Sequence, residues 1–206
     1  MRNASEPLRL FLFRHGETTA TGKLIGHTDV ALSARGHAQA AAVAEQFAAI
    51  AFTAIYASDL RRARQTAEPL AQRHGVAVQT AAVWREVNMG EWEGHTLAEL
   101  YAASPEQVTQ CFTDPEHFIY PGGEALADFA ARIQRALTQL LQAHAHGQIA
   151  LFTHGGVCRA ILATALALPM SHWLRLAQDY GSCNIIEWRD GLPTVLCVNQ
   201  TADRFS

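Results

Sequence analysis

The run LRLFLFRHG, from Leu8 to Gly16, is mostly apolar and ends abruptly in an arginine, a histidine and a glycine. Such a run reads as a buried strand entering a polar turn, which puts Arg14 and His15 at the strand's carboxyl end. The pattern returns later. Ile149 to Thr153 is a β-branched and aromatic run that ends at His154-Gly155-Gly156, and a helix is expected from Val157 to about Leu168, where Pro169 follows. Between the two runs, Ser33 is expected to cap a helix through about Phe47. Ile55 to Ala57 reads as a short strand, and Ser58-Asp59 reads as the cap of a helix that ends at Gly75. Val76 to Gln79 is a further strand candidate, and no regular element is assigned from Trp84 to Gly94.

The second half continues the alternation. Thr96 to about Thr113 looks helical with a break at Pro105, and Tyr120-Pro121-Gly122-Gly123 is a turn. Leu126, Phe129, Ile133, Leu137, Leu140 and Leu141 recur at three- and four-residue spacing, the signature of one buried helix face. Asn184 to Trp188 and Thr194 to Val198 flank Arg189-Asp190-Gly191-Leu192-Pro193 and read as an antiparallel hairpin. Strands alternating with helices predict an α/β fold: a three-layer sandwich with a mostly parallel sheet, helices on both faces and an antiparallel edge strand. With no repeat or linker in its 206 residues, the chain is expected to form a single domain over 1–206, with a short cap or insert at about 95–124.

Composition narrows the function classes. The 37 alanines favour helix and argue against an all-β fold. A net charge of -3 and a pI near 6.3 provide no field for a polyanion, so no nucleic-acid partner is expected. Residues 136–158 lack Asp, Glu, Lys and Arg, but three glutamines and three histidines interrupt them, so no membrane association is expected. Cys111, Cys158, Cys183 and Cys197 form no Cys-x-x-Cys pair and no signal peptide is evident, which fits free thiols in a reducing cytoplasm. His144-Ala145-His146 has the look of half a metal site. On a helix, however, the two imidazoles point to different faces and no third ligand is evident, so a solvated helix end is expected and no metal site is assigned. The four tryptophans are expected in the core or in a pocket wall.

In open α/β sheets ligands bind beyond the carboxyl ends of the strands, where strand order reverses. If the first and fourth strands are neighbours, His15 and His154 share one crevice, each with a permissive glycine behind it. Arg14 adds a guanidinium suited to phosphate or carboxylate. Arg61, Arg62 and Arg64 crowd a helix N-terminus, where cations are unfavourable unless an anion is bound, so part of that cluster is expected to serve a ligand. Among Glu86, Glu91 and Glu93 the residues alone do not choose an acid.

LFRHGET (Leu12–Thr18), SDLRRARQTA (Ser58–Ala67), REVNMGEWEG (Arg85–Gly94) and THGGV (Thr153–Val157) together resemble the histidine phosphatase superfamily, which also contains cofactor-dependent phosphoglycerate mutases. The four motifs occur in the family's order and span the chain from about Leu8 to Leu168. The resemblance implies phosphoryl transfer through a phosphohistidine, without metal or cofactor. His15 matches the nucleophile. Arg14, Arg62 and His154 match the groups that hold the phosphoryl oxygens, and Glu86 matches the acid that protonates the leaving alcohol and then activates water. Thr21 stands where several members carry asparagine, and its hydroxyl keeps one donor, so Thr21 joins Gly26 and Gly155 as a substrate-binding candidate.

Between Glu86 and Gly122 lie Glu91, Glu93, Glu99, Glu106, Asp114 and Glu116, with no Lys or Arg. An acidic cap disfavours retention of a bisphosphate and favours release to water. The expected activity is therefore hydrolysis of a small phosphomonoester, and the short chain, Gly26-His27-Thr28-Asp29 and Pro121-Gly122-Gly123-Glu124 look similar to α-ribazole-5'-phosphate phosphatases of cobalamin assembly. The alternatives are a phosphoglycerate mutase and a non-catalytic phospho-ligand-binding protein. A homodimer is left open.

Overall fold

The computed structural model describes residues 6–201. Six strands form one sheet in the order β3-β2-β4-β1-β5-β6, with β1 at Leu8–Arg14, β2 at Ala54–Ser58, β3 at Val78–Ala81, β4 at Gly147–Thr153, β5 at Cys183–Arg189 and β6 at Leu192–Gln200. The first four are mutually parallel, while β5 runs antiparallel to both β1 and β6, so the expected antiparallel edge strand is an edge pair.

Side-chain alternation along β1 builds both cores at once. Leu8, Leu10 and Leu12 pack on one face with Ile149 and Leu151 of β4, under helices α5 (Leu126–Ala143) and α6 (Gly155–Leu166). Phe11 and Phe13 point to the other face with Phe152, under α1 (Ala34–Gln46) and α2 (Arg61–His74). Phe13 and Phe152 stack with ring centroids 4.5 Å apart. Each of these fully buried side chains stabilises the fold by about 1.5–3 kcal/mol. The α5 periodicity holds as read, with Phe129, Ile133, Leu137 and Leu140 buried.

The register sets the site. Arg14 pairs with Thr153, so His15 and His154 leave the sheet side by side. From β1 the chain moves to β2 and β3 on one side, and β4 then inserts next to β1 before β5 forms on the other side. That reversal opens the crevice at β1 and β4.

Local expectations were met unevenly. Ser33 caps α1 as read, its hydroxyl accepting from Gly36 N. Ser58-Asp59 does not cap α2. The N-cap is Leu60, without a side-chain bond, and the Arg61 N–H donates 2.7 Å to Asp29 Oδ1 from a distant loop. Both expected cap residues are used elsewhere: Ser58 pairs with His154, and Asp59 takes a two-pronged ion pair from Arg85. The 84–94 stretch contains two single 3-10 turns, 82–84 and 90–92. Helix α5 ends before His144, which therefore lies outside the helix, and Tyr56 OH lies 2.8 Å from His144 Nε2.

The insert holds α3 (Leu97–Ala103), opened by a Thr96/Glu99 capping box, and α4 (Pro105–Thr113). Its two ends are clasped together. Glu91 N–H donates to Pro121 O (2.8 Å) and Glu124 N–H to Asn88 O (2.8 Å). Glycine is required on both sides of this clasp: a Cβ at Gly90, where φ is +52°, would collide with Pro121 O, and one at Gly123 with Asn88 O.

Candidate active site

His15 is buried and donates its backbone N–H to Thr153 O (2.8 Å). Its Nδ1 lies 2.7 Å from Gly16 O. A carbonyl can only accept, so Nδ1 carries the proton and Nε2 keeps its lone pair. Burial, then Arg14, then Arg62 push the His15 pKa well below its ordinary 6.5. The imidazole is therefore neutral at pH 7, the protonation state a nitrogen nucleophile needs.

Two arginines supply the charge. Arg62 is fully buried, while Arg61 and Arg64 are exposed, which sets the one buried arginine of the cluster apart from the solvated ones. Arg62 donates to Gly26 O (2.6 Å), Thr28 O (2.9 Å) and His154 Nδ1 (3.2 Å), none of them an anion. Burial lowers its pKa to about 10, against the opposing pull of Glu86, Asp29 and Glu93, so it stays charged at neutral pH. Arg14 donates to Gln178 O (2.6 Å) and lies 3.9 Å above the Tyr180 ring, and its buried Nε has no hydrogen-bond partner among the described residues. An orphaned donor on a cation in a crevice is an unfilled demand for an anion.

The His154 ring meets the His15 ring edge-on at 5.2 Å between centroids. Because guanidinium only donates, His154 Nδ1 is the acceptor from Arg62, and Nε2–H donates to Ser58 Oγ (2.9 Å). Both nitrogens are thus engaged by protein groups. Burial, Arg62, His15 and Arg14 depress its pKa well below 6.5.

Geometry separates the three glutamates. Glu86 is buried, and its carboxylate accepts from Val87 N (3.0 Å) and from Gly156 N (2.8 Å) at the N-terminus of α6. Glu93 instead anchors a loop, accepting from His27 N, Thr28 N and the Thr28 hydroxyl, and Glu91 is exposed. Arg132 on α5 clamps the backbone that carries Glu86. It forks onto Glu124 (3.0 and 2.9 Å) and donates to the carbonyls of Val83, Arg85 and Glu86.

Of the substrate-binding candidates, Gly26 reaches the crevice through its carbonyl on Arg62, and Gly155 opens α6 beside Arg14 and Arg159. Thr21 is exposed and donates its hydroxyl to Thr18 O (2.9 Å). Sequence reasoning missed Ser58, Arg132, Tyr180 and Arg159. Only Arg159 carries a local signal, since it lies on α6 five residues beyond His154, and the sequence alone reads it as a partner for an acidic residue outside the site. A cavity of about 240 Å³ adjoins Glu86, Gly156 and Arg159, and the insert lines it with Leu97, Cys111, Phe112 and Tyr120. The acidic residues of the insert do not line it, so this wall is apolar rather than acidic. Among the described residues no group of three His, Cys, Asp or Glu side chains is arranged to hold a metal ion, and no helix is long and apolar enough to cross a membrane.

The family model of the histidine phosphatase superfamily (branch 1) matches residues 10–201, and the chain belongs to this superfamily. It is 36% identical over 174 residues to a glucosyl-3-phosphoglycerate phosphatase of Mycolicibacterium vanbaalenii, covering 80% of this chain and 77% of the relative. It is 35% identical over 185 residues to a Yersinia enterocolitica protein named "probable phosphoglycerate mutase GpmB", covering 89% and 86%. The crystal structure of the α-ribazole phosphatase from Shigella flexneri superposes with a TM-score of 0.86 at 27% identity, covering 94% of this chain and 96% of that one.

Two outcomes follow from the site geometry. A Cβ at Gly156 would collide with Glu86 Oε1. Gly156→Ala should therefore displace the carboxylate and slow alkyl phosphate turnover by roughly 10²-fold or more while circular dichroism stays native. Wild-type rates would mean that the placement of this carboxylate is irrelevant. The lowered pKa of His15 also links stability to pH. Between the folded pKa and 6.5 the unfolded chain binds more protons, so stability rises with pH in this window and is lost as pH falls below about 6.5. His15→Gln should flatten the dependence of Tm on pH below about 6.5. An unchanged slope would contradict a neutral buried His15.

Proposed function

We propose that this chain is a metal-independent phosphomonoesterase acting on a small phosphorylated metabolite through a phosphohistidine. It is read as one domain over 1–206 whose 95–124 segment serves as a cap over the leaving group. The observation that carries this reading is the His15 imidazole, whose Nδ1 proton is held by Gly16 O, leaving Nε2 unprotonated under the charge of Arg14 and Arg62. In the first half-reaction Nε2 attacks phosphorus, the ester P–O bond breaks, and Glu86 gives its proton to the departing alkoxide. In the second, Glu86 takes a proton from water as the water oxygen attacks phosphorus, and the N–P bond breaks to return Nε2. Arg14 and Arg62 stabilise charge on the transferring group, the role preorganised donors play in phosphoryl transfer. His154 fixes Arg62 and borders the phosphoryl site, with Gly26 and Gly155 in support.

Release to water rather than mutase chemistry is favoured because, among the described residues, the insert brings no Lys or Arg to the adjoining cavity. An α-ribazole-type phosphate is one candidate substrate, and free cysteines support a reducing cytoplasm as the working compartment. Rapid acid-free quench of EDTA-treated enzyme with a phosphate-labelled ester should trap label on His15. Loss of labelling on chelation, or label on a serine or cysteine, would overturn the assignment. Glu86→Gln should slow alkyl phosphates by roughly 10²–10⁴-fold, yet leave a burst of p-nitrophenol from p-nitrophenyl phosphate, whose leaving group departs unprotonated. Equal burst-phase losses on both substrates would remove Glu86 as the acid.

A further inference from the structure

Arg159 lies on α6 one turn beyond Gly155 and Gly156. A Cβ on Gly155 would lie 3.3 Å from Arg159 Nη1 and 3.4 Å from Arg14 Nε, so the glycine lets both guanidinium groups close over the start of the helix. Arg159 is half-buried. Its Nε donates to Leu176 O (2.9 Å), and Glu86, itself held by Val87 N and Gly156 N, is the carboxylate whose charge reaches it. Arg159, whose two terminal nitrogens carry four N–H donors, lines a cavity whose other walls include Met89, Trp92, Phe112, Leu126, Phe129 and Trp173. The acid lining that cavity is Glu86.

This combination selects its ligand on two counts. About 240 Å³ accommodates a ring-sized body, since an apolar cavity of about 150 Å³ already takes benzene. A purely apolar alcohol filling it would strip water from the Arg159 guanidinium and leave charged donors unpaired, which disfavours binding. A small carboxylate alone would leave the aromatic wall unused. An alcohol with both features satisfies the wall and the fork together.

We propose that Arg159 is a specificity-determining residue that forks onto a carboxylate of the leaving alcohol, so that the preferred substrates are phosphomonoesters whose alcohol joins an apolar ring-sized body to that carboxylate. The inference rests on the phosphomonoesterase reading for its meaning but not for its test. With inorganic phosphate saturating the phosphoryl crevice, calorimetric titration compares 3-hydroxybenzoate with phenol. The wild type should bind 3-hydroxybenzoate about tenfold or more tightly than phenol, and Arg159→Gln should abolish the difference. Arg159→Lys, which keeps the charge but not the fork, should retain part of it, and supplies the comparison if the glutamine variant does not fold. In turnover, the ratio of kcat/KM for 3-carboxyphenyl phosphate over phenyl phosphate should fall about tenfold in Arg159→Gln, mainly through KM.

No carboxylate preference in the wild type, or a preference that survives Arg159→Gln, overturns the proposal. So does a loss confined to phosphate affinity, which would assign Arg159 to the phosphoryl group. If the binding preference holds while neither ester is turned over, the phosphomonoesterase reading fails and the carboxylate site stands.

Discussion

The parallel pairing of β1 with β4 is the constraint on which the crevice depends. One register, Arg14 opposite Thr153, brings together two histidines 139 positions apart in sequence (154 minus 15) and fixes their rings edge to face. A slip of one residue would send His15 to the opposite face of the sheet and would press the leucines into the core shaped for phenylalanine and the phenylalanines into the one shaped for leucine. The two-sided core, leucine on one face and phenylalanine on the other, therefore secures the chemistry as well as the fold.

Charge and burial are set against each other at this spot. Arg62 is fully buried on carbonyls and an imidazole rather than on a carboxylate, and Arg14 keeps a buried Nε with no hydrogen-bond partner among the described residues. Burying cations without direct counter-ions costs several kcal/mol each, and an anion bound in the crevice would offset that cost. The same burial and the same two arginines hold His15 neutral. The desolvation that costs the fold stability thus also keeps the His15 Nε2 lone pair free of a proton.

What the sequence made legible was local and periodic. The apolar runs of β1 and β4, the face of α5, the cap at Ser33 and the strand-end histidines could all be read from spacing. Interactions across long separations could not. Ser58 and Asp59 look like a cap because the types are right, but His154 and Arg85 compete for them from elsewhere in the chain. Glu86, Glu91 and Glu93 are equivalent in a string and differ only once Gly156 N and the 27–28 loop are in place. The insert was judged by its charges, yet the face that meets the cavity is its apolar one. Arg159 reads in the sequence as a partner for an acidic residue, and its place in the cavity wall shows only in the fold.

The clasp between residues 88–91 and 121–124 brings the two ends of the insert together, and Arg132 holds the Glu86 backbone from a helix that begins after the insert closes. The stretch from 92 to 120 is tethered at its two ends, and the groups that hold Glu86, namely Val87 N, Gly156 N and Arg132, all lie outside it. A change of length or sequence within that stretch leaves these contacts in place.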